Sequence, residues 1–201
     1  MSYYPNMKIF GLDEVGRGAL AGPLVASAVA LSQKSHISNL KDSKKLNIKQ
    51  RERLYELIIN SGAEIKTEII SVRQINNRGI GWANKEIFIR LIKNTEADKY
   101  IVDGNIKLKV QGKTDRVKSV INADATRKCV MAASIIAKVT RDHLMTELHN
   151  EFMIYGWKEN AGYGTKKHIE AIRKVGTVKH HRDVYVTTVL KNISSDRGYL
   201  R

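Results

Sequence analysis

Met7-Lys8-Ile9-Phe10-Gly11-Leu12-Asp13-Glu14-Val15-Gly16-Arg17-Gly18 is the stretch on which the reading of this 201-residue chain turns. Met7-Lys8-Ile9-Phe10 reads as a short strand, two adjacent carboxylates end the apolar run, and a basic residue follows between two glycines. Successive strand side chains point to opposite faces, so Asp13 and Glu14 share one site only if the backbone swerves there, and Gly16 and Gly18 permit such a swerve. Arg17 offers a planar donor suited to phosphate oxygens. The pattern suits a cation held beside a phosphate. An ordinary acidic turn after a strand would give the same eight residues, so the rest of the chain decides.

Thirty-five Lys and Arg against 20 Asp and Glu give a formal net charge of +15, which favours a polyanionic partner through counterion release and steering. The basic residues are spread among periodic apolar segments, which points to a folded basic face and away from a disordered tail. No apolar stretch has signal-peptide length and no window approaches the roughly 20 apolar residues of a membrane span, so a cytoplasmic protein without membrane association is expected. The one cysteine, Cys129, lies in an apolar run and reads as an inert core residue.

Residues 24–31 suit a second strand, and Asn47 with Gln50 three residues on marks the start of a helix whose apolar stripe is Ile48, Leu54, Leu57 and Ile58, with Gly62 past its end. A third strand is expected over 65–70, a helix over 84–94, a buried strand from Lys99 to Asp103 and Gly104, and a fifth strand over 117–121. A long helix over about 127–150 carries small residues for close packing on a sheet, and Thr165 caps a further helix that ends before Gly176. Three strands followed by alternating helices and strands imply an α/β fold, a mixed five-stranded sheet flanked by helices.

Three of these strands finish at acids: Asp13 and Glu14, then Asp103, then Asp124. Ligands of open α/β sheets gather at strand ends, so these acids are expected to converge, and unpaired carboxylates converge only around cations. Hard ions such as Mg²⁺ take oxygen ligands and bind substrate phosphates, and a pair of ions serves both oxygens of an in-line displacement. A metal-dependent nuclease or phosphotransferase is the physical reading.

Taken together and in order, Gly11 to Gly18 with Leu20-Ala21-Gly22-Pro23, Asp42-Ser43-Lys44-Lys45-Leu46, Val102-Asp103-Gly104, the run from Ala132 to Asp142, and Gly162-Tyr163-Gly164-Thr165 resemble ribonuclease HII of the ribonuclease H-like superfamily. The Gly-Arg-Gly form is unlike the related ribonuclease HIII. The resemblance implies one catalytic domain over 1–201, with a ribonuclease H-like core over 7–143 and a helical substrate-binding region over 144–201. It implies Asp13, Glu14, Asp103 and Asp124 as catalytic acids for two Mg²⁺ or Mn²⁺ ions in a monomer. The implied substrates are RNA–DNA hybrids and duplex DNA with embedded ribonucleotides, cut on the 5′ side to leave a 3′-hydroxyl and a 5′-phosphate. It further implies that Gly16, Arg17 and Gly18 sense the ribose 2′-hydroxyl and that Tyr163 packs on the sugar. Ser43, Lys44, Lys45 and Lys138 would meet phosphates, and His181 and Arg182 would touch nucleic acid. Asp142 is read as a structural partner of Arg141, with a fifth ligand as the alternative, and Trp82 and Trp157 are read as core.

The match departs at Ala19, where the family commonly has proline, at Asn122-Ala123 before Asp124, at Glu159-Asn160-Ala161 and at Asp183-Val184. These positions bear on substrate binding more than on hydrolysis. A basic nucleic-acid-binding protein without catalysis, or another ribonuclease H-like metal nuclease, would share much of the pattern.

Overall fold

The computed structural model describes residues 7–32, 37, 40 and 46–196, with side-chain placement ending at residue 193; Ser43, Lys44 and Lys45 lie outside the described residues. The chain divides into two compact units. The first comprises Met1–Val15, Val25–Ile69 and Asn84–Thr140; the second comprises Gly16–Leu24, Ile70–Ala83 and Arg141–Arg201.

The first unit is built on a five-stranded sheet of β1 (Ile9–Val15), β2 (Leu24–Ala30), β3 (Glu64–Ile70), β4 (Lys99–Asp103) and β5 (Val117–Val120), in the order β3-β2-β1-β4-β5. β1 pairs antiparallel with β2 and parallel with β4, which pairs parallel with β5, so the sheet is mixed as expected. β1 is longer than Met7 to Phe10. Its pairing with β2 continues through Asp13 opposite Ser27, Glu14 opposite Ala26 and Val15 opposite Val25. Both acids are therefore strand residues, at the end of β1, and the chain turns just past them at Gly16, whose φ is 92°.

Gly11 sits where the helix α5 (Lys128–Glu151) crosses the sheet, and a β-carbon there would overlap the backbone of Cys129 and Val130. Two residues along the strand advance about 6.6 Å, and four to five along a helix advance about 6–7.5 Å. Helix and strand therefore keep pace, and Asp13, two residues after Gly11, meets Ser134 in a side-chain hydrogen bond. Val29, opposite Gly11, joins the same core as Ala132, Ala133, Ile136 and Val139 of α5, and so do Leu54 and Ile58 of α1 (Ile48–Ile59). The expected box at the start of α1 is present, with Asn47 and Gln50 exchanging backbone and side-chain bonds at 2.9 and 3.0 Å. Only the i, i+4 pair Leu54 and Ile58 is buried; Ile48 and Leu57 face solvent, which narrows the expected stripe.

Sequence reading missed α2 (Val72–Arg78), although Ser71 and Gln74 form a capping box before it, and it started α3 (Ile80–Lys93) four residues late. In the second unit, Arg78 lies 4.0 Å above the ring of Trp82, which is half-buried and not core. Trp157 is fully buried in the apolar cluster of that unit with Leu20, Met145, Tyr155 and Ile172. Helix α6 (Trp157–Asn160) precedes α7 (Lys166–Val175), which Thr165 caps as expected, and α8 (Asp183–Asp196) follows.

Two glycine substitutions should move stability in opposite directions. Gly11→Ala forces a methyl into helix backbone and should destabilise by about 1–3 kcal/mol or more. Gly81→Ala, where a methyl meets open space on α3, should stabilise by up to about 1 kcal/mol. Chemical denaturation of the two variants checks both, and a stable Gly11→Ala protein would contradict the close packing of α5 on β1.

Candidate active site

The sheet register brings the first acids together. Leu12 pairs with Val102 across the parallel β1 and β4, and one step further along the two strands come Asp13 and Asp103. Asp13 is 7% exposed, Glu14 is half-buried, and the charges of Glu14 and Asp103 both reach Asp13. Burial, with the charges of Glu14 and Asp103, pushes the Asp13 carboxyl up from 3.8 to about 8, against the opposing hydrogen bond from Ser134. The Glu14 amide donates to Asp13 Oδ1 at 2.8 Å and orients the carboxylate along the strand.

Asp124 arrives differently from the sequence expectation. It does not end a strand. β5 stops at Val120, Asn122 adopts a left-handed backbone with φ 55°, and the short helix α4 (Ala123–Thr126) carries Asp124 at its second position. Its amide donates to Asp103 Oδ1 at 3.2 Å, which ties the fourth acid to the third, and Asp124 is 3% exposed. The left-handed turn suits asparagine better than most non-glycine residues, which gives Asn122 a conformational role at this departure from the family pattern.

Among the described residues no three acidic, histidine or cysteine side chains already stand at metal-holding distance. The donor set nonetheless fits a hard divalent cation. Its groups are all carboxylates, and the most crowded of them, Asp13, retains a proton because burial and its neighbours disfavour its charge. A cation would replace that proton and reverse the sign of the repulsion.

The second unit holds the remaining sequence-selected residues. Gly16 is buried with φ 92°, and a β-carbon there would overlap the Arg141 guanidinium; Arg17 and Gly18 are exposed. Around Gly18 a β-carbon would meet open space, so no neighbour within the fold demands glycine there. Arg141, fully buried, donates to the carbonyls of Pro23 at 2.9 Å, Ala161 at 2.8 Å and Ala21 at 3.1 Å, and it lies 5.5 Å from the Tyr163 ring centre. Burial lowers the proton affinity of Arg141, and Tyr163 and Asp142 act in the opposite sense.

His181 and Arg182 do not form a solvent-facing contact surface. Both are buried: Arg182 donates to Gly22 O at 2.8 and 3.1 Å and to Arg17 O at 3.1 Å. The Arg182 side chain holds the 16–22 segment from within, while the His181 ring meets His168 and the Val178 amide. Sequence reading missed the same service from Arg141, which it paired only with Asp142. Lys138 is half-buried on α5 in the first unit, and Cys129 is only partly shielded, its thiol pushed up by burial.

The mixed sheet flanked by helices is a ribonuclease H-like fold. The ribonuclease HII family pattern matches residues 10–188, and the chain belongs to that family. A Rickettsia bellii ribonuclease HII is 45% identical over 190 residues, covering 94% of each chain. Among solved structures, the ribonuclease HII of the Archaeoglobus fulgidus complex with PCNA has a TM-score of 0.77 at 28% identity, over 87% of this chain and 93% of its own. Ribonuclease H2 from Pyrococcus horikoshii has 0.74 at 26%, over 92% and 98%. The chain is thus an enzyme, a ribonuclease H acting on nucleic acid, from a divalent-metal-dependent family. No helix among the described residues is long and apolar enough to cross a membrane.

In chelator-treated protein the folded state keeps a proton on Asp13 that the unfolded chain releases near 3.8, so folding takes up a proton between that value and about 8. This contribution to stability is lost as pH rises through that window. The melting temperature should therefore fall from pH 5 to pH 8 more steeply in the wild type than in Asp13→Asn, and the variant should melt higher at pH 8. Equal slopes in a thermal-melt series with EDTA would refute the crowding of these carboxylates.

Proposed function

We propose that this ribonuclease hydrolyses the RNA strand of RNA–DNA hybrids and cuts on the 5′ side of ribonucleotides embedded in duplex DNA, leaving a 3′-hydroxyl and a 5′-phosphate. The observation that carries the reading is the placement of Asp13 and Asp103 one residue past the paired Leu12 and Val102 of adjacent parallel strands, with burial and charges close enough to hold a proton on Asp13 up to about pH 8. Asp13, Glu14, Asp103 and Asp124 would hold two Mg²⁺ or Mn²⁺ ions. Such a pair, when bound, stabilises the attacking and leaving oxygens of an in-line phosphodiester displacement.

The chain's own groups do the rest. Ser134 and the Glu14 amide keep the Asp13 carboxylate oriented, and the Asp124 amide does the same for Asp103, so little reorganisation is left for the reaction itself. Exposed Gly18 leaves room for main-chain groups to approach a ribose 2′-hydroxyl, the feature that separates RNA from DNA, and exposed Arg17 offers its guanidinium to a phosphate. Tyr163 packs on the sugar at the junction. Ser43, Lys44, Lys45 and Lys138 contact the phosphate backbone, which fixes register without reading sequence. We place the enzyme in the cytoplasm as a monomeric single catalytic domain serving ribonucleotide excision repair; the charge of +15 suits a duplex substrate.

A labelled duplex with one ribonucleotide, an all-DNA duplex and a long hybrid, each with Mg²⁺ or Mn²⁺, test the proposal. Cutting 5′ to the lone ribonucleotide is expected, with the DNA control intact. Asp103→Asn should lower the rate about a hundredfold or more. Tyr163→Ala should slow cutting at the lone ribonucleotide more than on the hybrid. Undiminished cleavage by Asp103→Asn would remove the acid assignment.

A further inference from the structure

The second unit buries two histidines in contact, and their hydrogen bonds fix where every proton sits. The Trp157 indole N–H can only donate, so His168 Nε2 accepts from it at 3.1 Å, which leaves the His168 proton on Nδ1, facing the Tyr163 carbonyl at 2.9 Å. The Val178 amide can only donate, so His181 Nδ1 accepts at 3.0 Å, and the His181 proton sits on Nε2, facing His168 Nε2 at 3.2 Å. His168 Nε2 thus receives two donors, and all four ring nitrogens are satisfied. A second proton on either ring would point at a donor.

This arrangement exceeds what packing requires. The pair lies against Tyr155 and Trp157, where apolar side chains would fill the same volume without polar atoms to satisfy. The chain of bonds does not close on a helix end. It runs from Val178 through both rings to the carbonyl of Tyr163, and the same segment 160–163 is held by Asn160, whose Oδ1 accepts from Gly162 N at 2.8 Å. Burial holds both imidazoles below the ordinary range, His181 at about 4, so the pair is uncharged at neutral pH. The titratable groups facing it are Tyr155 and His180, with Lys179 and Glu151 acting on His180.

We propose that His168 and His181, locked as neutral imidazoles of opposite tautomer, are positioning residues that set the Tyr163 backbone, and through it the ring, for the sugar at the cleavage junction. This rests on the reading of Tyr163 given above. His168 acts on Tyr163 directly; His181 acts by fixing the tautomer of His168. Arg182, the next residue, bonds the Arg17 carbonyl, so one short stretch of chain serves both recognition segments.

Two measurements test the proposal. Long-range ¹H–¹⁵N NMR of the wild-type protein at pH 7 should show the proton of His168 on Nδ1 and that of His181 on Nε2; matching tautomers, or an imidazolium at either position, overturns the lock. The second is a double-mutant cycle on the single-ribonucleotide duplex. His168→Gln keeps an acceptor near the Nε2 position and removes the Nδ1 donor. It should raise KM about tenfold, the worth of about one hydrogen bond, with kcat within about twofold. Added to Tyr163→Ala it should change KM by less than about twofold, because the ring it positions is gone. Multiplying losses mean that His168 acts elsewhere and overturn the proposal. If Tyr163→Ala alone leaves KM unchanged, the sugar-packing reading falls and this proposal with it. If Tyr163→Ala is impaired while His168→Gln is not, only the positioning role falls.

Discussion

The first unit depends on one close approach, the contact of α5 with the bare backbone of β1 at Gly11. Because no side chain separates them, the helix lies low on the sheet, and one turn later Ser134 reaches Asp13. The same seating carries Ala132, Ala133, Ile136 and Val139 into the core with α1 and β2. A larger residue at position 11 would lift the helix, empty part of that core and strip Asp13 of the hydrogen bond that opposes its neutralisation. Packing and electrostatics at this point are therefore a single constraint, and a glycine satisfies it.

The two units solve opposite charge problems with the backbone as the common tool. In the first, carboxylates of like sign are crowded, and main-chain N–H groups of Glu14 and Asp124 face them. In the second, two guanidiniums are buried, and main-chain carbonyls of residues 17, 21, 22, 23 and 161 face those. Burial lowers the proton affinity of both arginines, with Arg182 at about 10, yet both remain cations at neutral pH. Because carbonyls carry no net charge, ligation by them does not cancel the charge of either arginine, so these segments contribute to the positive field while keeping a fixed shape.

Much of this is legible in the sequence because it depends on local periodicity and caps. All five strands, the box at Asn47, the long α5 and the Thr165 cap are readable from residue type and spacing. The acids are readable because a carboxylate that closes an apolar run is costly to hold there unless a cation or a donor meets it. What escapes is set by tertiary contact. The extension of β1 through Val15 comes from pairing with β2, which polar Asp13 and Glu14 conceal. The left-handed Asn122 and the short helix under Asp124 carry almost no periodic signal. His181 and Arg182 look like a solvated basic turn, since nothing local reveals that Gly22 and Arg17, some 160 residues earlier, supply the acceptors for Arg182. For α2 the signal is present in Ser71 and Gln74, but the helix they open is only seven residues long and shows little periodicity.

Those sequence separations have a consequence for synthesis. Residues 16–24 leave the ribosome early, but their anchors are Arg141, Gly162 and Arg182, the last of them 165 residues beyond Arg17. Loop closures of that span are slow and cannot begin before the far partner exists. A nascent chain long enough to form the sheet therefore has its 16–24 segment unfastened, with Leu20 and Ala21 still exposed. During translation the acids on β1 and β4 can assemble before the 16–23 segment is fastened, so the polypeptide passes through a stage with its sheet formed and the chain beyond β1 still loose.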